Sequence, residues 1–254
     1  MVDEAGSSGL HLVMTSALNP LSEGHPNVVG SFGGINDLRD AQSPLLKGLC
    51  DILEVRLDLI TVSLRDTAPT PWQHLKGSPL LFTARRIEEG GALALNPAER
   101  MNLLESVLNE AALIDIEVAS IDEMAPLVEI LRARGIPWIA SFHDFKKLPD
   151  TRVLEEAAKR ALDAGADAFK SAALLHNPAD LARLAEFQLA DHGLPVATMG
   201  MGPLAPVSRL LCAQCGSVLN YGFIGKTPTA PGQWDAGSLK QSIERLVPFR
   251  NQVV

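Results

Sequence analysis

The feature that most constrains the fold is an alternation running through nearly the whole chain, in which short apolar, β-prone runs are separated by amphipathic helical ones. Strand patterns fall at residues 28–32, 52–57, 79–83, 114–117, 137–141, 168–171, 195–198 and 217–221. Helical periodicity covers residues 37–47, 97–109, 124–134, 151–164, 178–188 and 203–215, with a final helix at 237–246. The Pro-rich connection 63–77 has no clear helical reading. Eight βα units over about 225 residues predict a single-domain α/β protein, a (β/α)8 TIM barrel, whose usual length is about 250 residues. A doubly wound sheet is the alternative, weakened because no Gly-rich phosphate loop follows the first strand. Residues 1–26 lie outside the repeat and are expected to form an arm or a short strand pair, leaving 27–254 as the catalytic barrel.

In this architecture functional groups gather where strands end on the C-terminal face, so polar residues there become candidates. In Glu54-Val55-Arg56-Leu57-Asp58, period-two geometry puts Glu54, Arg56 and Asp58 on one face. A barrel turns that face inward, whereas an exposed edge strand would show the same alternation. Thr83 with Arg85, and Asp115 with Glu117, repeat the pattern. Charges buried in such number must pair or bind a polar ligand.

Lys170 lies in Ala168-Phe169-Lys170-Ser171, an apolar, strand-like setting. Burial disfavours its ammonium form and lowers its pKa from about 10.4, toward the neutral amine that attacks a carbonyl. A lysine snorkelling from a strand end is the structural alternative. One βα unit earlier stands Ser141-Phe142-His143-Asp144-Phe145. Neighbouring strands are about 4.8 Å apart, so His143 and Lys170 can serve one small substrate, with histidine as the proton carrier. Glu89 could orient that histidine, although Glu88 and Glu89 also read as a solvated loop pair.

A net charge of −8 argues against nucleic-acid or anionic-membrane partners. No run approaches a membrane span, and Asp3 and Glu4 stand where a secretory signal would be basic, so a cytoplasmic protein is expected. Three cysteines form no even disulfide framework. Cys212 and Cys215 have redox or metal spacing but sit in an apolar stretch, which favours small buried side chains on a helix. Gly225-Lys226-Thr227 superficially resembles a nucleotide loop, yet Asn220 stands where that motif needs its first glycine, and the segment reads as a lid.

Taken in order, Glu54-x-Arg56-x-Asp58, Phe82-Thr83-x-Arg85 with Glu89-Gly90-Gly91, Asp115-x-Glu117, His143-Asp144-Phe145, Lys170, Met199-Gly200-Met201 to Ser208-Arg209, and Ala230-Pro231-Gly232-Gln233 resemble the type I 3-dehydroquinate dehydratases from about Val28 to Gln233. The resemblance implies a (β/α)8 barrel using no metal or organic cofactor, with Lys170 forming a Schiff base with the ketone of 3-dehydroquinate. It further implies His143 as general acid/base, Glu89 as its assistant, and Ser31, Glu54, Arg56, Arg85, Arg209, Thr229 and Gln233 as substrate-binding residues. A homodimer and a place in the shikimate route to aromatic amino acids follow from the same likeness, although a catabolic quinate route uses the same chemistry. Ala205 stands where the family often has glycine, Thr229 replaces a more familiar serine, and the segment 221–229 is one residue longer than usual. That leaves Tyr221 and Phe223 as alternatives for the family's aromatic position.

Chemistry supports the likeness, because an iminium acidifies the α-proton that must leave before the β-hydroxyl can depart. Arg209 suits a substrate carboxylate as a bidentate fork, and the charges of Arg56 and Arg85 would help keep Lys170 neutral. A class I aldolase and a catalytically silent binding barrel are the competing readings, and the ordered arginines with His143-Asp144-Phe145 favour dehydration.

Overall fold

The computed structural model describes residues 21–22, 24–64 and 70–250. Its strands are β1 (Asn27–Phe32), β2 (Ile52–Arg56), β3 (Leu80–Thr83), β4 (Leu113–Glu117), β5 (Trp138–Asp144), β6 (Ala168–Leu174), β7 (Val196–Met201) and β8 (Leu219–Ile224). All laddered neighbours are parallel, in the order β7-β6-β5-β4-β3-β2-β1-β8. The seam between β7 and β8 is tied just below β8, where Val218 N–H donates to the Val196 carbonyl at 3.1 Å. The result is the expected, nearly closed (β/α)8 barrel. β2 lies between β1 and β3, which disposes of the edge-strand alternative for its charged face.

Helices α1 (Ile35–Asp40), α2 (Ser43–Leu46), α3 (Leu57–Leu64), α4 (Pro97–Glu105), α5 (Ala125–Arg134), α6 (Thr151–Asp163), α7 (Pro178–Leu189), α8 (Ala205–Gln214) and α9 (Ala236–Arg250) surround it. Residues expected to form one helix at 37–47 form two, broken at Ala41, where the backbone turns extended and Pro44 restarts the helix. α3 begins directly after β2, in a connection the sequence left without a helix, and places Asp58 in its first turn rather than on the strand. Strands β5 to β8 each end three residues later than expected, which carries His143 near the end of β5 within the ladder. The proposed arm at 1–26 lies largely outside the described residues; Leu21 is buried against the lower barrel interior.

Local sequence accounts for much of the outer layer. Asn96 and Glu99 form a capping box ahead of Pro97 at the start of α4. On α6 Leu154, Ala157, Ala158 and Ala161 form the buried face, at helical spacing. Residues pointing outward from the strands, such as Leu53, Val55, Phe82, Ile114, Ile116 and Phe169, join that layer in one large apolar cluster.

The barrel interior changes character with height. Its lower layer is apolar and includes Val29, Ile52, Leu81, Leu113, Ile139 and Ala168. Two residues further along each of those strands stand Ser31, Glu54, Thr83, Asp115, Ser141 and Lys170, all buried. Another step brings Arg56, Arg85, Glu117 and His143 to the rim. Period-two alternation thus converts a sequence pattern into an apolar floor under a polar ring that opens at the C-terminal face.

Candidate active site

The pocket at this face is lined by Glu54, Arg56, Arg85, Glu89, His143, Lys170, Arg209, Thr229 and Gln233, together with Gly90, Phe145, Met199, Met201 and Tyr221 among others. All three residues expected to be catalytic, and all the expected binding residues except Ser31, therefore meet in one place. Ser31 is level with Glu54 on the adjacent strand but fully buried, and its hydroxyl donates to Glu54 Oε2. Thr83 Oγ1 donates to the other oxygen, Oε1, at 2.9 Å.

Lys170 Nζ stands 3.0 Å from Asp115 Oδ2 and 4.1 Å from the centre of the Tyr221 ring. Burial lowers its pKa; Asp115 opposes the shift and the Arg85 charge reinforces it. Asp115 is itself pressed upward by burial, yet Arg85 and Lys170 outweigh that and hold it ionised, well below the carboxylate range. Ser141, level with Lys170 on the adjacent strand, donates to Asp115 Oδ1 at 2.6 Å.

His143 Nδ1 faces Glu89 Oε2 at 2.9 Å, and the same oxygen accepts the His143 backbone N–H at 2.9 Å. Burial raises Glu89 to about 7, with Arg85 working against the shift and Glu117 adding to it. Burial also holds His143 neutral, aided by the charges of Arg85 and Lys170. An ionised Glu89 makes Nδ1 the protonated nitrogen and leaves Nε2 as a free base. Glu88 behaves differently: it is exposed and pairs with Arg86 at 2.9 Å, so the two adjacent glutamates split between solvent and site.

The arginines are anchored before any ligand arrives. Arg56 pairs through Nε and Nη2 with both oxygens of Asp58, at 2.9 and 2.7 Å, and donates to the Gly90 carbonyl at 3.1 Å. Asp58 also accepts the backbone N–H groups of Arg85 and Ala92, at 3.2 and 3.0 Å, so it binds the β3 end to the turn carrying Glu89. Gly90 has φ 87°, and a Cβ there would stand 2.5 Å from the Phe145 ring. Only glycine accommodates both that backbone and that packing.

Arg209 differs from the others. Ser208 Oγ accepts from Gly200 N–H at 2.9 Å, fixing the start of α8 against β7. Arg209 is then buried, with Nη1 donating to the Tyr221 carbonyl at 2.8 Å and Nε without a partner. Burial pulls the guanidinium down to about 10, so it remains a cation at neutral pH. A carboxylate entering the pocket would supply the missing acceptors.

Over the pocket, Gln233 Oε1 accepts both the N–H and the hydroxyl of Thr229, each at 2.8 Å. Gly202 N–H donates to the Pro231 carbonyl at 3.0 Å, seating this turn on the end of β7. Lys226 N–H donates to Asp37 Oδ1 at 3.2 Å, so the segment that resembles a nucleotide loop is docked on α1. Tyr221 lines the pocket, whereas Phe223 bridges to Asp235 and stands outside the lining. Cys212 is fully buried on α8, where burial pushes its thiol up to about 12.

Sequence reasoning gave no role to Asp115 beyond its place in a charged repeat, and none to Ser141 or Arg100. Asp115 was detectable as an acidic residue two positions from Glu117 on an otherwise apolar strand. Arg100 carried a weaker signal, since it shares the buried face of α4 with Leu104 four residues on.

The sequence profile of the family described as Type I 3-dehydroquinase matches residues 35–246. A 3-dehydroquinate dehydratase of Methanothrix thermoacetophila is 32% identical over 232 residues, covering 90% of this chain and 96% of that protein. Among solved structures, 3-dehydroquinate dehydratase from Geobacillus kaustophilus superposes with a TM-score of 0.79 at 27% identity, covering 89% of this chain and 93% of that one. The type I enzyme of Clostridium difficile, solved with covalently modified comenic acid, gives a TM-score of 0.72 at 26% identity over 89% and 94% of the two chains. With that coverage and the pocket just described, the chain belongs to the type I 3-dehydroquinase family.

Proposed function

We propose that this chain is a 3-dehydroquinate dehydratase that converts 3-dehydroquinate to 3-dehydroshikimate through an imine on Lys170. The observation that carries the mechanism is the buried Lys170 amine, 3.0 Å from Asp115 and in one pocket with the His143–Glu89 pair. In its neutral form Lys170 adds to the substrate ketone, and loss of water gives the iminium. That cation withdraws electrons from the adjacent C–H, and His143 Nε2 takes the proton while Glu89 stabilises the imidazolium. The electron pair then expels the β-hydroxyl, which leaves as water with the proton returned by His143. Hydrolysis of the conjugated imine releases the product and restores the amine, so the net change is loss of one water.

The binding roles follow from the same arrangement. Arg209 takes the substrate carboxylate, Glu54 and Arg56 face ring hydroxyls, and Arg85 holds Asp115 in place. Thr229 and Gln233 close over the acid. Ser31 acts through Glu54. The family likeness supports a homodimer working in the cytoplasm on the shikimate route; among the described residues no helix is long and apolar enough to cross a membrane.

Incubation with 3-dehydroquinate, monitored by ultraviolet absorbance of the conjugated enone acid, tests the activity. Borohydride treatment followed by peptide mass analysis tests the imine. Absorbance growth with a ligand-sized adduct on Lys170 is expected. An adduct without the enone would point to a different imine enzyme, and neither signal would leave only a binding barrel.

A further inference from the structure

A line of buried ionic side chains runs from the outer helix layer to the pocket. Arg100, on α4 and 2% exposed, donates from Nε to the Ala84 carbonyl at 2.8 Å and from Nη1 to Ser120 Oγ at 2.9 Å, while Nη2 pairs with Glu117 Oε2. The other oxygen of Glu117 accepts from Arg85 Nη1 and from the Arg86 N–H, both at 3.0 Å. The same Arg85 nitrogen is 3.0 Å from Asp115 Oδ1, and Asp115 Oδ2 is 3.0 Å from Lys170 Nζ. Arg100 is not among the residues lining the pocket.

We propose that Arg100 is a positioning residue for Lys170: by holding one oxygen of Glu117 it sets how Arg85 is shared between Glu117 and Asp115, and so sets how strongly Asp115 pairs with the amine. The inference rests on the imine chemistry proposed above. A buried carboxylate needs its charge answered locally. With Arg100 in place, Glu117 is served from two sides and Arg85 remains available to Asp115. Without it, Glu117 depends on Arg85, Asp115 is left more fully to Lys170, and the ammonium gains. Loss of the Arg100 charge acts directly in the same direction.

The other groups facing Lys170 are Glu54 from β2, Arg85 beyond β3, His143 from β5 and the Tyr221 ring from β8. Glu117 also faces Glu89, whose charge it opposes. On the solvent side Arg100 meets Glu123 at 3.2 Å, a carboxylate whose side chain is 37% exposed.

The test compares wild type, Arg100→Gln and Arg100→Lys by the pH dependence of kcat/KM and of borohydride trapping on Lys170, with thermal melting to establish folding. Trapping reads the neutral fraction of the amine. In Arg100→Gln the acid limb is expected to move to higher pH by on the order of half to one unit. Arg100→Lys, which keeps a cation beside Glu117, should return it toward wild type. A folded Arg100→Gln with the wild-type limb, or equal displacement in both variants, overturns the proposal. Should neither Arg100 variant fold, Glu123→Gln carries the test with the opposite sign. Removing that outer carboxylate frees Arg100 for Glu117, and the limb should move to lower pH; an unmoved limb overturns the proposal. Wild type without turnover or adduct would instead sink the underlying function, whereas active wild type with unmoved variants removes only the role of Arg100.

Discussion

One oxygen of Glu89 accepts the His143 backbone N–H and faces His143 Nδ1, each at 2.9 Å, so a single carboxylate fixes both the imidazole and the strand end that carries it. Replacing it by Gln should weaken the base while keeping a side chain of the same shape in the pocket wall. A fall in kcat of about 10- to 100-fold with little change in KM is expected for Glu89→Gln, since positioned acid–base catalysis is worth about 10²–10⁴-fold in full. Steady-state kinetics checks this, and a change confined to KM would assign Glu89 to binding instead.

The same residue links stability to pH. Burial raises Glu89 from 4.5 to about 7, so the folded chain keeps a proton that the unfolded chain releases between those values. A raised carboxyl favours the fold fully below the unfolded pKa, and that advantage is lost as pH rises through the folded one. Glu89→Gln should therefore gain stability relative to wild type at pH 8 compared with pH 4, by at most about 3 kcal/mol. Urea denaturation at the two pH values measures the difference, and equal gaps would contradict the assignment.

Asp115 has the opposite sign. Despite the cost of burial, Arg85 and Lys170 hold it well below the carboxylate range, so its contribution is present above the unfolded pKa and is lost as pH falls below it. Asp115→Asn leaves Arg85 and Lys170 short of a shared anion and should cost about 3 kcal/mol at neutral pH. The deficit should shrink below about pH 4, where the unfolded wild-type carboxyl takes up its proton. Denaturant titrations from pH 3 to 7 test it, and a constant deficit would mean that Asn disrupts packing and not charge pairing.

Much of this site was legible because strand periodicity and chemistry coincide. Glu54 and Arg56 fall two apart on β2, and Lys170 interrupts an apolar run on β6; a closed sheet must turn such residues inward. The His143–Lys170 pairing followed from strand adjacency alone. What escaped depends on contacts between elements. Asp58 looked like a continuation of β2 but lies in the first turn of α3, where it clamps Arg56 and two backbone N–H groups. Ser31 was expected at the substrate; it is buried level with Glu54 on the adjacent strand, donates its hydroxyl to that carboxylate, and is not among the residues lining the pocket. The choice between Tyr221 and Phe223 needed the course of β8, because residues two apart on a strand share a face and period alone does not separate them.

Arg209 supplies a prediction about binding. Its buried Nε lacks a partner and its charge persists to about 10, which makes it the natural receptor for a planar carboxylate. Arg209→Lys keeps the charge but not the fork, and should raise KM by about 10- to 100-fold, corresponding to a charge-assisted hydrogen bond of about 1.5–3 kcal/mol. The lysine variant should also give slower borohydride trapping at low substrate and near-normal trapping at saturation. A wild-type KM would exclude the carboxylate role.

The lid makes a separate demand, because Gln233 Oε1 is the common acceptor for Thr229 N–H and Thr229 hydroxyl, each at 2.8 Å. Its carbonyl oxygen therefore shapes the turn that covers the pocket, while the turn's Pro231 carbonyl anchors to Gly202 at 3.0 Å. In Gln233→Ala both Thr229 donors lose their acceptor but the anchor stays, so the loop should still fold and close less completely. Gating by a lid alters commitment of substrate as well as its affinity. We expect kcat to fall and KM to rise together, each by about 3- to 30-fold, as loss of one or two neutral hydrogen bonds would give. Viscosity dependence of kcat/KM should change as well if closure governs capture. An elevated KM with kcat and viscosity dependence intact would instead reduce Gln233 to a ground-state binding contact, and the closing role would pass to Thr229 and the Pro231 turn.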